Sequence, residues 1–531
     1  MLLRFVGLLS CLFCLVSCQK NEEANSSKVV RISSNDDIPS IDPRRARSLA
    51  SVNAVHFLFE GLTRKATDGS IECAACDNFQ VSDDKTLYTF HLKKLFWSDG
   101  TPLSAHDFAY SWKMTLDPTF KTANAHELFV IQHGKDCWEK KLPAEQLGIR
   151  VIDEQTLEVK LEKPLSYFPE LLTCHFFYPV SKKWFSTHPE AKELSFDKPP
   201  SNGPFKMKSH RTGEGIVLEK NRHYWDKESF HIDSVAIVVA EDSTALCLFE
   251  KGELDWTGSP ISTLPPDAVA HLKEQKKINF CPCAGTSFIR VNCTKAILPQ
   301  QVRKAFFYAI DRQGIVEHVL HGDHLVAQKF IPPCMLPNVS CEQGQIPQAS
   351  ALFEKALGDL NLEKGAFANL SLIFIPCDVT QKMAQVVQQN FKDAFNIDLK
   401  VEACESKIFY ERIQKLNYDL ALGSWVADFN DPINFLNVFK EKNNGTNNTG
   451  WENEPYKALL ERSSYISDRE ERNQLLANGE KIIMEEYPIL PIYHYTFKYL
   501  QQGRVKGMRL SSFGTIELRG AVLLQQKTTG T

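Results

Sequence analysis

An α/β fold is predicted for this chain by three features of its sequence. Short apolar stretches with strand patterning alternate with amphipathic helical stretches along most of its length. Residues 370–375, 380–395, 397–401, 409–415 and 420–425 show this best, reading as strand, helix, strand, helix, strand, as parallel βαβ units require. At 531 residues the chain is longer than one hydrophobic core usually supports, so two or three domains are expected.

In order, residues 29–33 read as a strand followed by turns at Pro39 and Pro43, and residues 53–62 have helical spacing that stops at Gly61. Residues 86–92 alternate as a strand, and Ser98-Asp99-Gly100 is a turn. Residues 104–116 form a helix with Ser104 as N-cap and Asp107 in its first turn. Residues 147–161 read as two strands around Asp153-Glu154, and Pro164 opens a new helix. The run Lys198-Pro199-Pro200-Ser201-Asn202-Gly203-Pro204 marks a boundary. Strands and helices alternate again over 215–239, 244–251 and 278–291, where Ala284-Gly285-Thr286 is a candidate crossing between domains. Residues 299–322 read as two successive helices, closed off by Pro332-Pro333. After the 370–425 block come a polar loop at 443–448, helices over 456–465 and 469–486, and a buried strand over 488–495. There is no internal repeat and no heptad array.

Hydrophobic content of 43% and charged content of 24% are those of an ordinary globular protein. The net charge is −4 with no basic stripe, which argues against a nucleic-acid partner. Residues 1–17 stand apart: Arg4 precedes an apolar run over 5–16, too short to span a bilayer, that reads as a secretory signal peptide. Leu15-Val16-Ser17-Cys18 resembles a bacterial lipobox, which implies an acylated Cys18 at the mature N-terminus and a membrane held through that lipid. Plain cleavage nearby is the alternative. Residues 18–28 lack an apolar anchor and read as a flexible tether.

Fifteen cysteines, 12 of them after residue 18, allow disulfides in an exported protein. The close pairs are Cys73 with Cys76, Cys281 with Cys283, and Cys334 with Cys341. A redox CxxC opens a helix, whereas Cys73 precedes a strand-like stretch, and zinc needs four ligands at suitable spacing. Structural cysteines are expected, and no metal or cofactor. His321-Gly322-Asp323-His324, the nearest approach to a metal pair, reads as an ordinary loop. Gly-x-Ser-x-Gly, His-Glu-x-x-His and phosphate-loop patterns are absent, so no catalytic residues are assigned.

The most informative stretch is 418–432. The apolar run at 420–422 breaks at Gly423-Ser424, and Trp425-Val426-Ala427 leads into Asp428 and the acidic turn Asn430-Asp431-Pro432. A strand ending this way can hold a carboxylate in a low-dielectric wall beside an aromatic plane. Such a site suits a cationic group, since a buried charge is tolerated when paired. The alternative is an Asx-type turn in which the acids only satisfy their own backbone.

Five further motifs bear on this choice. Leu95-Phe96-Trp97-Ser98-Asp99-Gly100-Thr101-Pro102-Leu103-Ser104-Ala105-His106-Asp107-Phe108-Ala109-Tyr110-Ser111-Trp112 closely resembles a signature of the periplasmic oligopeptide-binding proteins, the solute-binding subunits of peptide ABC importers. Ser40-Ile41-Asp42-Pro43, Phe59-Glu60-Gly61-Leu62, Ser201-Asn202-Gly203-Pro204-Phe205 and the run from Val302 to Arg312 resemble it too, in the family's order. The resemblance covers residues 30–500. It implies a two-lobed, type II (Venus-flytrap) periplasmic binding protein with an extra inserted domain. Domain I would combine 29–60, 199–284 and 496–531, domain II would be the insertion 61–198, and domain III would span 285–495, with a hinge at the two crossings.

The resemblance also implies a function: an expected monomer that binds oligopeptides in the periplasm and delivers them to ABC permease subunits. In the family an aspartate in a Trp-x-Ala-Asp segment takes the peptide's α-ammonium, and that segment matches Trp425-Val426-Ala427-Asp428. By the same match Leu49 would line the N-terminal end of the groove, Gly423 and Ser424 would offer backbone groups, and Tyr495 would reach in at the second crossing. Positions where relatives often carry a Trp and cations correspond to Ser406, Ile413 and Leu422, leaving Arg412 as the nearby cation. Amine anchoring is therefore expected to be kept and carboxylate recognition altered. The Trp97 turn is expected to be structural. Other readings remain: a binder of a murein peptide, nickel chelate, haem or sugar on the same fold, a metallo- or thiol enzyme, or a surface adhesin.

Overall fold

The computed structural model describes residues 28–66, 69–336 and 346–524. The leader with Cys18, most of the tether and Cys341 lie outside them. One mixed sheet of 11 strands runs through the molecule. Ten of these are, in chain order, β1 (Val29–Ser34), β2 (Phe205–Arg211), β3 (Gly215–Lys220), β4 (Ser234–Val239), β5 (Trp256–Gly258), β6 (Asn279–Val291), β7 (Ser371–Phe374), β8 (Lys400–Ala403), β9 (Leu420–Val426) and β10 (Ile489–Gln501). They lie side by side as β2-β3-β4-β1-β5-β10-β6-β9-β7-β8, and the short strand Leu325–Val326 adds to β10.

The two ends of this sheet are the two lobes. At one end β1 runs parallel to β4 and β5, with Val30 and Ile32 fully buried, while β2, β3 and β4 are antiparallel. At the other end β7 is parallel to both β8 and β9, and helices Asp378–Phe395 and Ser406–Gln414 make the crossovers. That end is the strand–helix array legible in the sequence.

Joining them are β6 and β10, antiparallel strands of 13 residues each. Their lower halves pair from Asn279↔Tyr499 to Pro282↔Thr496 and their upper halves from Thr286↔His494 to Arg290↔Ile489. Between these halves residues 283–285 oppose Tyr495 alone, and a second shift follows at Ser287/Phe288. Bulges of this kind bend a strand, and Pro282 brings no N–H to the ladder. The candidate crossing Ala284-Gly285-Thr286 falls on this break.

Residues 76–160 build a separate four-stranded antiparallel sheet from Cys76–Val81, Leu87–Leu92, Thr156–Lys160 and Ile149–Asp153, in that spatial order. Helix Ala105–Thr115 packs against it. Asp107 accepts from the Ser104 N–H at 2.9 Å and from the Lys182 N–H at 2.8 Å, so its carboxylate fixes both the helix start and the next segment. The Trp97 turn docks this unit as the sequence reading expects: Trp97 is buried, Asp99 accepts from the Thr101 N–H at 2.9 Å, and the Ser98 N–H donates to the Ser201 carbonyl at 2.8 Å.

Three elements differ from the sequence expectation. The helix placed at 53–62 is α1 (Leu49–Leu58), because the Ser48 hydroxyl accepts from the Ser51 N–H and starts it early. It ends before Gly61, where a Cβ would lie 2.5 Å from the Leu172 carbonyl and 2.8 Å from the Tyr178 ring. Pro164 does not open a helix. The Tyr88 hydroxyl holds the Leu165 carbonyl and the Ser166 N–H donates to Ser464, which delays the helix to a single turn, Phe168–Leu171. The second helix expected within 299–322 shrinks to a turn and one π-helical turn, Ile315–Val319, because Asp311 is held by Asn390 and itself caps Gly314.

Candidate functional site

β9 carries the site because its two edges are covered unequally. β6 pairs with it from Leu420 to Val426, but β7 pairs only with Leu420 and Ala421. Beyond Ala421 one edge of β9 therefore offers backbone donors and acceptors that no strand among the described residues takes up. Past the strand, Asp431 accepts from the Ile433 N–H at 2.9 Å and pairs with Arg472 at 2.8 Å. The Asx-turn reading thus holds for Asp431.

Asp428 is a different case. It is exposed to a cavity, and its side-chain partner is Asn434, whose Nδ2 donates at 3.4 Å. Asn434 in turn accepts from the Trp425 indole N–H at 2.8 Å, so the ring and the carboxylate are oriented by one amide. Crowding by surrounding protein pushes the Asp428 carboxyl up to about 6, and Glu127 adds to the rise. Asn434, His126 and Arg47 pull the other way. The carboxylate is desolvated and poorly compensated, the state in which a cationic guest is most favoured.

The cavity has a volume of about 740 Å³ and lies where four parts of the chain meet. Trp425, Val426, Ala427 and Asp428 form one wall. The start of α1 supplies Arg47 and Leu49, the 61–198 segment supplies His126, Glu127 and Cys174, and the chain around Phe513 to Arg519 closes the floor. His126 pairs with Glu127 at 2.9 Å, which raises its pKa. His56 is pushed down to about 3 by burial, and its Nδ1 lies 3.0 Å from the Tyr178 hydroxyl, so it serves as a neutral wall. Ser424 and Gly423 continue along β9 beyond this cavity.

Tyr495 is not among the cavity's lining residues. It lies at the strand crossing, and a Cβ on Gly285 would be 3.0 Å from both its ring and Val426. Arg412 is placed elsewhere altogether: its guanidinium pairs with Glu402 at 2.8 Å and donates to the Asn417 carbonyl, so it is committed within its own lobe. Ile413 and Leu422 are buried core residues. His324 accepts from the Thr496 N–H and packs against Tyr493 and Tyr495, while Asp323 is held by Lys498 at 2.7 Å and by Lys273, so the His-Gly-Asp-His loop is structural. Cys73 and Cys76 are thiols 2.9 Å apart at strand ends.

Sequence reasoning passed over Arg47, His126, Glu127 and Arg290. The first three come to Asp428 only through the tertiary fold, and nothing local marks them. Arg290 did have a signal, a cation inside the apolar strand run Phe288-Ile289-Arg290-Val291.

Comparison with known proteins agrees with this architecture. Residues 70–447 match the model of the bacterial extracellular solute-binding proteins, family 5. The oligopeptide-binding protein OppA of Bacillus subtilis is 32% identical over 491 residues, 91% of this chain and 90% of the relative. The unliganded open form of the periplasmic murein tripeptide binding protein MppA superposes with a TM-score of 0.82 at 27% identity, covering 94% of this chain and 98% of the other. Haemophilus influenzae OppA in complex with the peptide RPPGFSPFR gives 0.72 at 25% identity, covering 94% and 100%. The chain belongs to the bacterial extracellular solute-binding proteins of family 5.

Proposed function

We propose that this protein binds free peptides in the cleft between its lobes and delivers them to an ABC importer. The observation that carries the reading is Asp428, a carboxylate open to an interlobe cavity whose hydrogen-bond partner is a single amide at 3.4 Å. A peptide's α-ammonium would complete it, and the uncovered edge of β9 would take the peptide backbone as an added strand whatever its side chains. Trp425, Val426, Ala427 and Leu49 would flank the first residue. Ser424 and Gly423 would meet later ones, and Tyr495 would close over them from the crossing.

The decisive experiment is a double-mutant cycle. Once the lobes shut, losing one partner of the buried pair costs on the order of 3–5 kcal/mol. Asp428→Ala should therefore weaken peptide binding by roughly two to four powers of ten, read by calorimetry. Acetylating the peptide's amine should hurt wild type by a similar amount and Asp428→Ala far less. Additive losses would show that Asp428 is not the amine's partner.

The same reading assigns the protein no chemistry on its ligand. It divides the chain into domain I (29–60, 199–284 and 496–531), domain II (61–198) and domain III (285–495), acting as a monomer. It also tethers the protein to an envelope membrane through a lipid on Cys18. Cys18→Ala should abolish acyl labelling and leave the protein uncut or soluble, and a wild-type N-terminus elsewhere without lipid would refute the anchor. A murein peptide is a second candidate ligand, supported by the likeness to MppA. Mass spectrometry of ligand released from freshly purified protein separates the two.

A further inference from the structure

Arg290 lies on β6, one strand in from the open edge of β9, and it is 7% exposed. Among the described residues none gives its guanidinium a hydrogen bond or an ion pair. Its Nε is buried without a partner, and the charge rests over the face of Phe288 at 4.8 Å. The titratable groups that bear on it are the hydroxyls of Tyr418 and Tyr410, and Tyr418 already donates to the Asn448 carbonyl. An arginine this buried is ordinarily paired, because uncompensated burial of a charge is costly.

Its position explains what it waits for. The guanidinium reaches across to Gly423, where a Cβ would collide with its Nη1. Alternate residues of a strand share a face, so Gly423 points the same way as Trp425, which lines the cavity. The cation therefore lies on the ligand-facing side of β9, two strand residues or ~7 Å beyond Trp425. Gly423 is the side-chain-free position that lets it lie there.

We infer that Arg290 is the carboxylate-recognising residue of this cleft, and that the protein prefers peptides carrying a carboxylate about four or five residues from the free amine. This rests on the peptide-binding reading and sharpens it. Asp428 and Gly423 are five residues apart, or ~16 Å if extended, close to the span of an extended tetra- or pentapeptide. The carboxylate can be the C-terminus of such a peptide or an acidic side chain at its third or fourth residue. Arg290 would then do what Ser406, Ile413 and Leu422 cannot, from the strand beside Leu422's own.

The test measures affinities of wild type, Arg290→Met and Arg290→Lys by calorimetry. One arm compares tetra- and pentapeptides with free and amidated C-termini. The other compares Glu with Gln at the third and fourth positions of amidated hexapeptides. Wild type should favour the carboxylate form in at least one arm by about ten- to a hundredfold, since a charge-assisted hydrogen bond is being made. Arg290→Met should erase that preference while leaving the amidated, neutral peptides bound as before, and Arg290→Lys should keep part of it. The arm that responds identifies the source of the carboxylate. Circular dichroism melts should show the Met variant folded and at least as stable as wild type, because it loses an unpaired buried charge.

Equal affinity for both forms in both arms, or a uniform loss across all peptides in the Met variant, would overturn the inference and leave Arg290 a packing residue. Peptides that bind without regard to N-acetylation would instead overturn the amine-anchoring reading, so the two failures are distinguishable.

Discussion

At the scale of single residues, the site is a set of charges left incomplete by the fold. Asp428 titrates near 6 because protein crowds its carboxyl, and the ammonium of a peptide needs the ionised form. Binding should therefore hold level just above pH 6 and fall below it by about tenfold per pH unit, as the ligand has to displace a proton. The fall should stop at the lower pKa that the carboxyl acquires in the complex. Above about pH 8 affinity should fall again as the peptide's own α-amine, with a pKa of roughly 7.7–8.0, loses its proton. Calorimetry across pH 4.5–9 reads both limbs, and an acid limb that survives in Asp428→Asn would belong to another group. The folded state holds the Asp428 proton more tightly than the unfolded chain, so its contribution to stability is present at low pH and is lost as pH rises through 6. Asp428→Asn should accordingly melt no lower than wild type at pH 7.5 while losing its ligand, the exchange of stability for function expected at a binding site. Asp428 stood out as a candidate in the sequence because an apolar strand, a tryptophan and an acid follow one another in a segment that resembles the family's Trp-x-Ala-Asp. His126 and Glu127 did not, since they lie some 300 residues away in a segment between 116 and 147 to which the sequence pattern assigns no element.

At the scale of elements, the sequence showed periodicity well and punctuation less well. The 370–425 array was legible because each helix and strand carries its own apolar repeat, and the structure has them at Ser371–Phe374, Asp378–Phe395, Lys400–Ala403, Ser406–Gln414 and Leu420–Val426. The early start of α1 and the lost helix after Pro164 depend on one hydroxyl cap and two distant hydrogen bonds, which a local pattern does not contain. The long reach of β10, through Gln501 rather than stopping near Tyr495, follows from pairing with β5 as well as β6. The break in β6 makes Gly285 its most constrained position: a Cβ there would press on the Tyr495 ring, on Val426 and, at 3.4 Å, on the Trp425 carbonyl. Gly285→Val should lower stability by about 1–3 kcal/mol through overpacking, measured by urea unfolding. It should also weaken peptide binding, because the strain falls on the two strands that form the crossing and the site. Unchanged unfolding would show that Tyr495 swings aside freely and contributes nothing rigid to the crossing.

At the scale of the whole molecule, the sheet runs unbroken from one lobe to the other, so relative motion has to be absorbed where its pairing is weakest. That place is the stretch of β6 where residues 283–285 oppose Tyr495 alone, with Pro282 beside it. Near it Asp323 binds Lys273 and Lys498 together, a clasp close to the pivot where small rotations move atoms least. The edge of β9 beyond Ala421 and the Asp428 carboxylate face the cleft with little to satisfy them, and a peptide that satisfies both from one lobe brings its far side within reach of Leu49 and Arg47 on the other. Ligand binding should then draw the lobes together by hinge rotation, since the lobes are packed bodies and the crossing is the compliant part. Small-angle scattering should give a smaller radius of gyration with saturating peptide than without, and Asp428→Ala should need far more peptide for the same change. A profile that stays fixed at saturation, with binding confirmed by calorimetry on the same sample, would mean that the peptide enters a cleft already at its final width.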